Sequence, residues 1–191
     1  MTATANILSC GPPQAAERVQ QVIDERKKAN KRIDSLEGEL SGTIALRLFD
    51  KARAKPRLFQ YQHRPDDSTD PLGFLSLVAT KFLHFYEKPA FKTKASYYAI
   101  GLTSSPSVQT ATTVTTIFIF GSDEAQVKIY GEAVKAQLGV KGGGKGNKWS
   151  GKFIGVWSID KEGAALEKIL RDTPENRVDE MLRERLELPW H

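Results

Sequence analysis

Between residues 141 and 152 the chain reads KGGGKGNKWSGK, with five glycines, four lysines and no acid in twelve residues. Glycine has no Cβ, so its backbone adopts positive φ angles and approaches a ligand closely. Consecutive backbone N–H groups in a turn form a concavity that binds anions, and lysines add positive point charges. Trp149 offers a flat ring on which a base can stack. The run predicts a loop that binds phosphate, above all a nucleic-acid backbone, and it does not indicate bond-breaking chemistry.

The candidate phosphate-binding residues are therefore taken from this loop. They are Lys141, Gly142, Gly143, Gly144, Lys145, Gly146, Asn147, Lys148, Trp149, Gly151 and Lys152. Each lysine would hold a phosphate without reading the base sequence. Two alternatives remain open from the residues alone: the loop can be a surface linker or packing element, and Trp149 can anchor it on the core instead of stacking.

Nucleotide-hydrolysing loops have a different pattern. A Walker loop needs Gly-x-x-x-x-Gly-Lys-Ser/Thr between a strand and a helix. Here Gly146 is not followed by Lys-Ser/Thr, and the segment before the loop is predicted to be helical. The run also fails the Rossmann pattern, so the sequence argues against nucleotide hydrolysis.

Upstream, the segment from Gln14 to about Ala54 is predicted to form one long helix, which Pro56 ends. Its apolar residues follow a seven-residue spacing, which is interrupted at Arg26 and Arg47. They are Val19, Val22, Ala29, Ile33, Leu36, Leu40, Ile44 and Leu48. A helix of about 40 residues is roughly 60 Å long. It cannot bury this stripe alone, so it must pack on a partner chain, on the following domain or on an upstream segment.

The remaining residues alternate between strand and helix patterns. Strands are predicted at Arg57–His63, Ser96–Thr103 and Thr113–Phe120, and a short strand or extended segment is predicted at Phe153–Trp157. Helices are predicted from Pro71 to Tyr86, after an Asp123 cap to Leu138, after an Asp160 cap to Arg171, and at Pro174–Leu188. The predicted class is α/β (α+β), with a long N-terminal helix followed by a small β-sheet domain flanked by helices. The predicted organisation is a lead-in at 1–12, a long helical arm at 13–55 and a compact domain at 56–191.

Charge and composition favour a polyanionic partner. The 191 residues carry a formal charge of +5, and five lysines and no acid lie between Val134 and Lys152. Two further basic groups, residues 51–57 and 26–32, also suit a helix C-terminus and a solvated helix face. The single cysteine, Cys10, fits a reducing, cytoplasmic compartment. No signal peptide or membrane-spanning run is evident.

The glycine–lysine loop resembles the signature of the DHH-associated domain. Its form is similar to that of the C-terminal part of the free-standing alanyl-tRNA editing proteins, the AlaX group, and the same domain type ends alanyl-tRNA synthetase. The lead-in Ile7–Pro12 and the order of long helix, α/β domain, glycine loop and short helix are also similar, so the resemblance covers most of residues 7–171. It implies binding of tRNA, above all tRNA-Ala, or of other RNA, homodimerisation through the long helix or a sheet edge, or both.

The chain departs from that family in its catalytic part. AlaX editing domains bind zinc through an HxxxH pair and a later Cys and His, whereas this chain has only Cys10, His63, His84 and His191, none at that spacing. We therefore expect no catalytic residue, metal or cofactor here, and zinc only if an upstream editing domain exists. The expected function is a non-catalytic tRNA-binding accessory module. The alternatives are a dimerisation module, or a fragment of a zinc-dependent deacylase of mischarged tRNA(Ala).

Overall fold

A computed structural model describes residues 14–88, 95 and 97–172. The predicted lead-in at 1–12 and the predicted helix Pro174–Leu188 lie outside these residues. The elements are α1 (Ala15–Ala54), β1 (Arg57–Pro65), α2 (Pro71–Glu87), β2 (Tyr97–Ser105), β3 (Val114–Gly121), α3 (Glu124–Leu138), β4 (Lys141–Lys145) and β5 (Lys148–Ile154). A π-helical turn, Ile159–Gly163, then leads into α4 at residues 164–172.

The strands form one five-stranded sheet in the order β1-β2-β3-β5-β4. β1 and β2 run parallel and α2 connects them, because parallel neighbours need a crossover. The other neighbouring strands are antiparallel. A long N-terminal helix followed by a mixed sheet with flanking helices confirms the predicted fold class.

The predicted loop at 141–152 and the predicted start of the last strand at Phe153 were wrong. Residues 141–145 and 148–154 are strands that pair as a hairpin around Gly146 and Asn147. Glycine is a weak strand former because it has no side chain to pack. The glycine content therefore concealed a strand whose side-chain packing comes from its neighbour β5.

One face of the sheet is covered by α2 and by the second half of α1. This cluster is rich in aromatic residues, among them the fully buried Phe82 of α2. The ring of Phe82 contacts Tyr98 and Phe120 of the sheet edge-to-face, with centroids 5.1 and 5.7 Å apart. Such pairs stabilise beyond the area they bury, so this cluster fixes α2 on β2 and β3.

The opposite face is covered by α3 and α4. Val127, Tyr130 and Val134 of α3 are buried there with Ile117, Ile119 and Trp149 of the sheet and with Leu166, Ile169 and Leu170 of α4. Tyr130 is fully buried, and its hydroxyl forms a hydrogen bond of 2.8 Å with that of Tyr97. Burial raises the pKa of Tyr130, so its hydroxyl group stays protonated and uncharged in the core.

The predicted N-terminal cap residue is correct for α3 and wrong for the helical segment after β5. The Asp123 side chain accepts a hydrogen bond of 2.8 Å from Gln126 N, which confirms the predicted cap. Asp160 is not the cap of the helix that follows β5, because Ser158 occupies that position. Glu162 reaches back and accepts a hydrogen bond of 3.0 Å from Ser158 N, so a glutamate satisfies this amide.

Internal contacts divide the chain into two units, one ending at Leu40 and one beginning at Ser41. In the first unit every residue of α1 from 16 to 36 is exposed. In the second unit α1 contributes Ile44, Leu48 and Phe49 to the core cluster of the first sheet face. Among the described helices, none has the length and apolar character needed to cross a membrane.

Replacing Phe82 tests this core. Phe82→Ala removes a fully buried ring with contacts to Tyr86, Tyr98 and Phe120. We expect it to lower the free energy of unfolding by about 3–5 kcal/mol. The exposed Val108 is the control, and Val108→Ala should change stability by less than about 0.5 kcal/mol. Urea unfolding followed by circular dichroism measures both, and equal losses would contradict this description of the core.

Candidate nucleic-acid interface

The β4–β5 hairpin has two chemically different faces. Opposed residues of an antiparallel pair lie on the same face, and successive residues alternate between faces. The register opposes Lys141 to Lys152, Gly143 to Ser150 and Lys145 to Lys148. All four lysines of the hairpin thus share one side, which we call the lysine face (Lys141, Lys145, Lys148 and Lys152). Gly142, Gly144, Trp149 and Gly151 occupy the other side.

A two-residue connection sets this register. Gly146 and Asn147 join the strands, and Gly146 has a φ of 63°, in the left-handed region that glycine adopts without strain. The carbonyl of Asn147 also accepts a hydrogen bond of 3.2 Å from Gly121 N at the end of β3. The turn is therefore tied to the sheet, and its position brings Lys145 and Lys148 opposite each other.

The lysine face forms no ion pair with a described acid. Lys141, Lys145 and Lys152 are exposed and Lys148 is half-buried. None of the four has an ion pair with a carboxylate within the described part of the chain. Like charges placed directly opposite each other on a sheet are destabilising. A polyanion bound across the hairpin would remove this repulsion.

Grooves lie along the hairpin on two sides. One, of about 470 Å³, is lined by the Lys141–Lys152 pair, Ser150, Thr116 and the start of α2. Asp70 is also in its wall, where its Oδ1 accepts a hydrogen bond of 2.9 Å from Gly73 N. The Asp70 carboxylate therefore already occupies the Gly73 N–H group at the start of α2, and this N–H is not free to bind an anion. The anion-binding groups left in this groove are therefore the lysines and hydroxyls.

The second groove, of about 400 Å³, lies between the hairpin and α3. Its charged lining consists of Lys128, Lys135, Lys145, Lys148, Glu124 and Glu132. Lys135 pairs with Glu132 at 2.8 Å, so one of the four lysines is neutralised. This groove is basic but less uniformly so than the lysine face itself.

Trp149 anchors the hairpin. Its side chain is only 3% exposed and belongs to the cluster under α3, so in this structure its ring is not offered to a base. The nearby glycines leave room for the indole: a Cβ at Gly142 would lie 2.7 Å from Trp149 Cζ2, and a Cβ at Gly131 or Gly151 would overlap the same ring. Much of the glycine content thus serves tryptophan packing, which the sequence had left open beside stacking.

The outer edge of the hairpin still offers backbone donors. β4 is the last strand of the sheet, and residues 141–145 are exposed. In an antiparallel edge strand every second residue directs its N–H and C=O away from the partner strand. The sequence predicted that the backbone amides of this segment would face a ligand. Some of these N–H groups instead form hydrogen bonds with β5, and those of every second residue of β4 point outward beside Lys141 and Lys145. At Gly143 a Cβ would meet nothing within 4 Å, so the strand is open there.

The two described histidines lie in different surroundings. His84 is exposed on α2, and His63 lies in β1 with Nδ1 2.9 Å from Thr103 Oγ1 and Nε2 3.3 Å from Ser105 Oγ. Thr103 Oγ1 is also 3.1 Å from the hydroxyl of Tyr61, which accepts a hydrogen bond from Trp157 Nε1. This network contains no carboxylate and satisfies buried polar atoms. Across residues 14–88, 95 and 97–172, no three His, Cys, Asp or Glu side chains gather as metal ligands would.

The other two basic groups of the sequence are surface groups. Lys51 and Arg53 occupy the last turn of α1, and Lys51 Nζ donates a hydrogen bond of 2.9 Å to Gln60 Oε1. Lys27 lies 3.6 Å from Asp24 on the same exposed helix. Cys10 and His191 fall outside the described residues. No protein-family model and no curated protein matches the chain.

Glycine substitutions test the two faces of the hairpin. We expect Gly151→Ala to destabilise the protein by about 1–3 kcal/mol, because its methyl would overlap Trp149 and Val140. Gly143→Ala places the same methyl in open space and is the matched control, with a change below about 0.5 kcal/mol. Urea unfolding measures both. Comparable destabilisation at the two positions would contradict the assignment of faces.

The burial of His63 predicts a pH effect on stability. Burial lowers the pKa of His63 from its ordinary value of 6.5, so the folded state binds this proton less readily than the unfolded state. The contribution of His63 to stability should therefore be constant above about pH 6.5 and become unfavourable as the pH drops below it. His63→Gln should remove that part of the decline. Unfolding free energies of both proteins between about pH 5 and 7.5 test this, and parallel curves would refute it.

Proposed function

We propose that this chain is a non-catalytic nucleic-acid-binding module of the cytoplasm that holds RNA through its lysine face. The proposal rests on the position of the four lysines. Lys141 lies directly across the two strands from Lys152, and Lys145 from Lys148. None of them forms an ion pair with an acid among the described residues. Lysines that lie opposite each other repel in the free protein, and a bound ligand of negative charge would cancel this repulsion.

The spacing of the lysine pairs favours a chain of phosphates over a single one. Lys141 and Lys145 are four residues apart on one strand, which corresponds to about 13 Å. A single phosphate lying over one pair would leave the other pair without a counter-charge, whereas successive phosphates of a nucleic-acid backbone can occupy both pairs. The outward amides of β4 and the hydroxyl of Ser150 lie between the pairs and add neutral donors.

This mode of binding reads backbone and shape rather than base sequence. Trp149 is buried, so base stacking on it is not part of the proposal. The resemblance of most of residues 7–171 to the DHH-associated domain of AlaX proteins supports tRNA, and tRNA-Ala in particular, as the first RNA to test. The alternative of a deacylase fragment gives the module the same task, which is to hold the tRNA while another domain performs the chemistry.

Charge reversal on the lysine face is the test. Lys145→Glu/Lys148→Glu should weaken tRNA binding and reduce the slope of log K against log salt by about 1.4–1.8, because two phosphate contacts are lost. Lys141→Glu/Lys152→Glu should do the same at the other pair. The control is Lys161→Glu/Lys168→Glu, which changes net charge equally at exposed positions outside the hairpin. Filter binding across salt concentrations measures all four proteins.

Two results would count against the proposal. One is wild-type protein that does not bind tRNA even at low salt. The other is a loss of affinity that is the same for the control and the hairpin variants, since it would reflect net charge alone. Circular dichroism of each variant checks that its fold is retained.

A further inference from the structure

The part of α1 that belongs to the first unit exposes a stripe of apolar side chains. Val22, Ile33 and Leu36 are 46%, 52% and 53% exposed, and Val19, Ile23 and Leu40 are exposed as well. In heptad notation Val19, Arg26, Ile33 and Leu40 take position a, and Val22, Ala29 and Leu36 take position d. Exposed apolar side chains aligned along one face of a helix in this way mark an interaction surface.

We propose that this stripe binds the same stripe of a second copy of the chain as an antiparallel coiled coil. In this alignment Val19 lies opposite Leu36 of the second copy, and Val22 lies opposite Ile33. The arrangement is two-fold symmetric, so every contact occurs twice. The paired segment from Val19 to Leu36 is about 26 Å long.

Charge complementarity favours a second copy as the occupant and the antiparallel direction. The g positions that flank the stripe are Arg18, Glu25, Arg32 and Glu39, which alternate in sign. In an antiparallel pair g faces g, and the same alignment brings Arg18 opposite Glu39 and Glu25 opposite Arg32. With symmetry this gives four attractive pairs and no repulsive one.

The parallel direction lacks this complementarity. There the g positions face the e positions of the other helix, which are Ile23, Asn30 and Glu37. Only Arg32 with Glu37 then forms a pair of opposite charges. Since e and g charges set orientation in coiled coils, the sequence of this helix favours the antiparallel form.

Arg26, which interrupts the apolar stripe, fits the same alignment. It lies opposite Ala29 of the second copy, so the largest side chain of the seam meets the smallest. Its aliphatic stem can cover the alanine while its guanidinium reaches water. A polar residue at one a position also disfavours shifted registers, which would oppose Arg26 to a large apolar residue.

A charge-swap experiment on the full chain tests the proposal. Arg18→Glu/Arg32→Glu makes all four g positions acidic, and Glu25→Arg/Glu39→Arg makes them all basic. Sedimentation equilibrium should show a wild-type dimer and, for each variant alone, a dissociation constant raised on the order of 30-fold. An equimolar mixture of the two variants should recover a dimer of one acidic and one basic chain. This recovery excludes misfolding as the cause of dissociation.

Disulfide trapping tests the direction independently. In a Cys10→Ser background, Val22→Cys/Ile33→Cys should form intermolecular disulfides on oxidation. Val22→Cys alone should not, because its two copies would be 11 residues, or about 16 Å, apart along the axis.

Three results would overturn the proposal. Wild-type chain that stays monomeric at high concentration would mean that another segment of the chain or a different protein covers the stripe. Self-linking of Val22→Cys alone would indicate a parallel pair. A wild-type dimer insensitive to both charge reversals would place the interface elsewhere, for example at a sheet edge.

Discussion

The packing of the Trp149 indole among Gly131, Gly142 and Gly151 is the contact on which the rest of the hairpin depends. It fixes one face of a two-stranded ribbon against α3, and strand alternation then directs all four lysines to the opposite face. A two-stranded ribbon with little side-chain packing is marginally stable on its own in water. Without the buried tryptophan, a glycine-rich strand at the edge of the sheet would have little to hold it in register.

This anchoring also explains how the protein tolerates an unfavourable charge arrangement. Opposed lysines repel each other, but exposed charges interact weakly in water, whereas a buried tryptophan contributes a large apolar surface. The hairpin can therefore form without a ligand, and the lysines of the proposed site are already positioned for a polyanion. A site prepared in this way loses less conformational entropy on binding than a flexible lysine-rich loop would.

Strong periodicity and cap residues predicted most of the fold. α1, α2, α3 and the strands around Ile100 and Ile117 follow from apolar spacing, from Pro71 and from Asp123. The hairpin was missed because three successive glycines carry no strand signal of their own, and their partner lies across the chain reversal at Gly146. The cap at Ser158 was missed because Glu162, rather than Asp160, bonds the first amide. Of the candidate site, composition predicted the lysines, but only the register shows that they share a face.

The two surfaces can be separated experimentally because they use different residues. The charges that would orient the α1 pair lie between Arg18 and Glu39, and the lysine face lies between Lys141 and Lys152. A dimer presents two hairpins, and if one RNA contacts both, the second contact benefits from a high effective concentration. Dissociating the dimer would then weaken RNA binding and reduce its salt dependence while each hairpin stays intact. If each hairpin binds its own RNA instead, dissociation leaves the affinity per chain unchanged, and the coiled coil serves assembly alone.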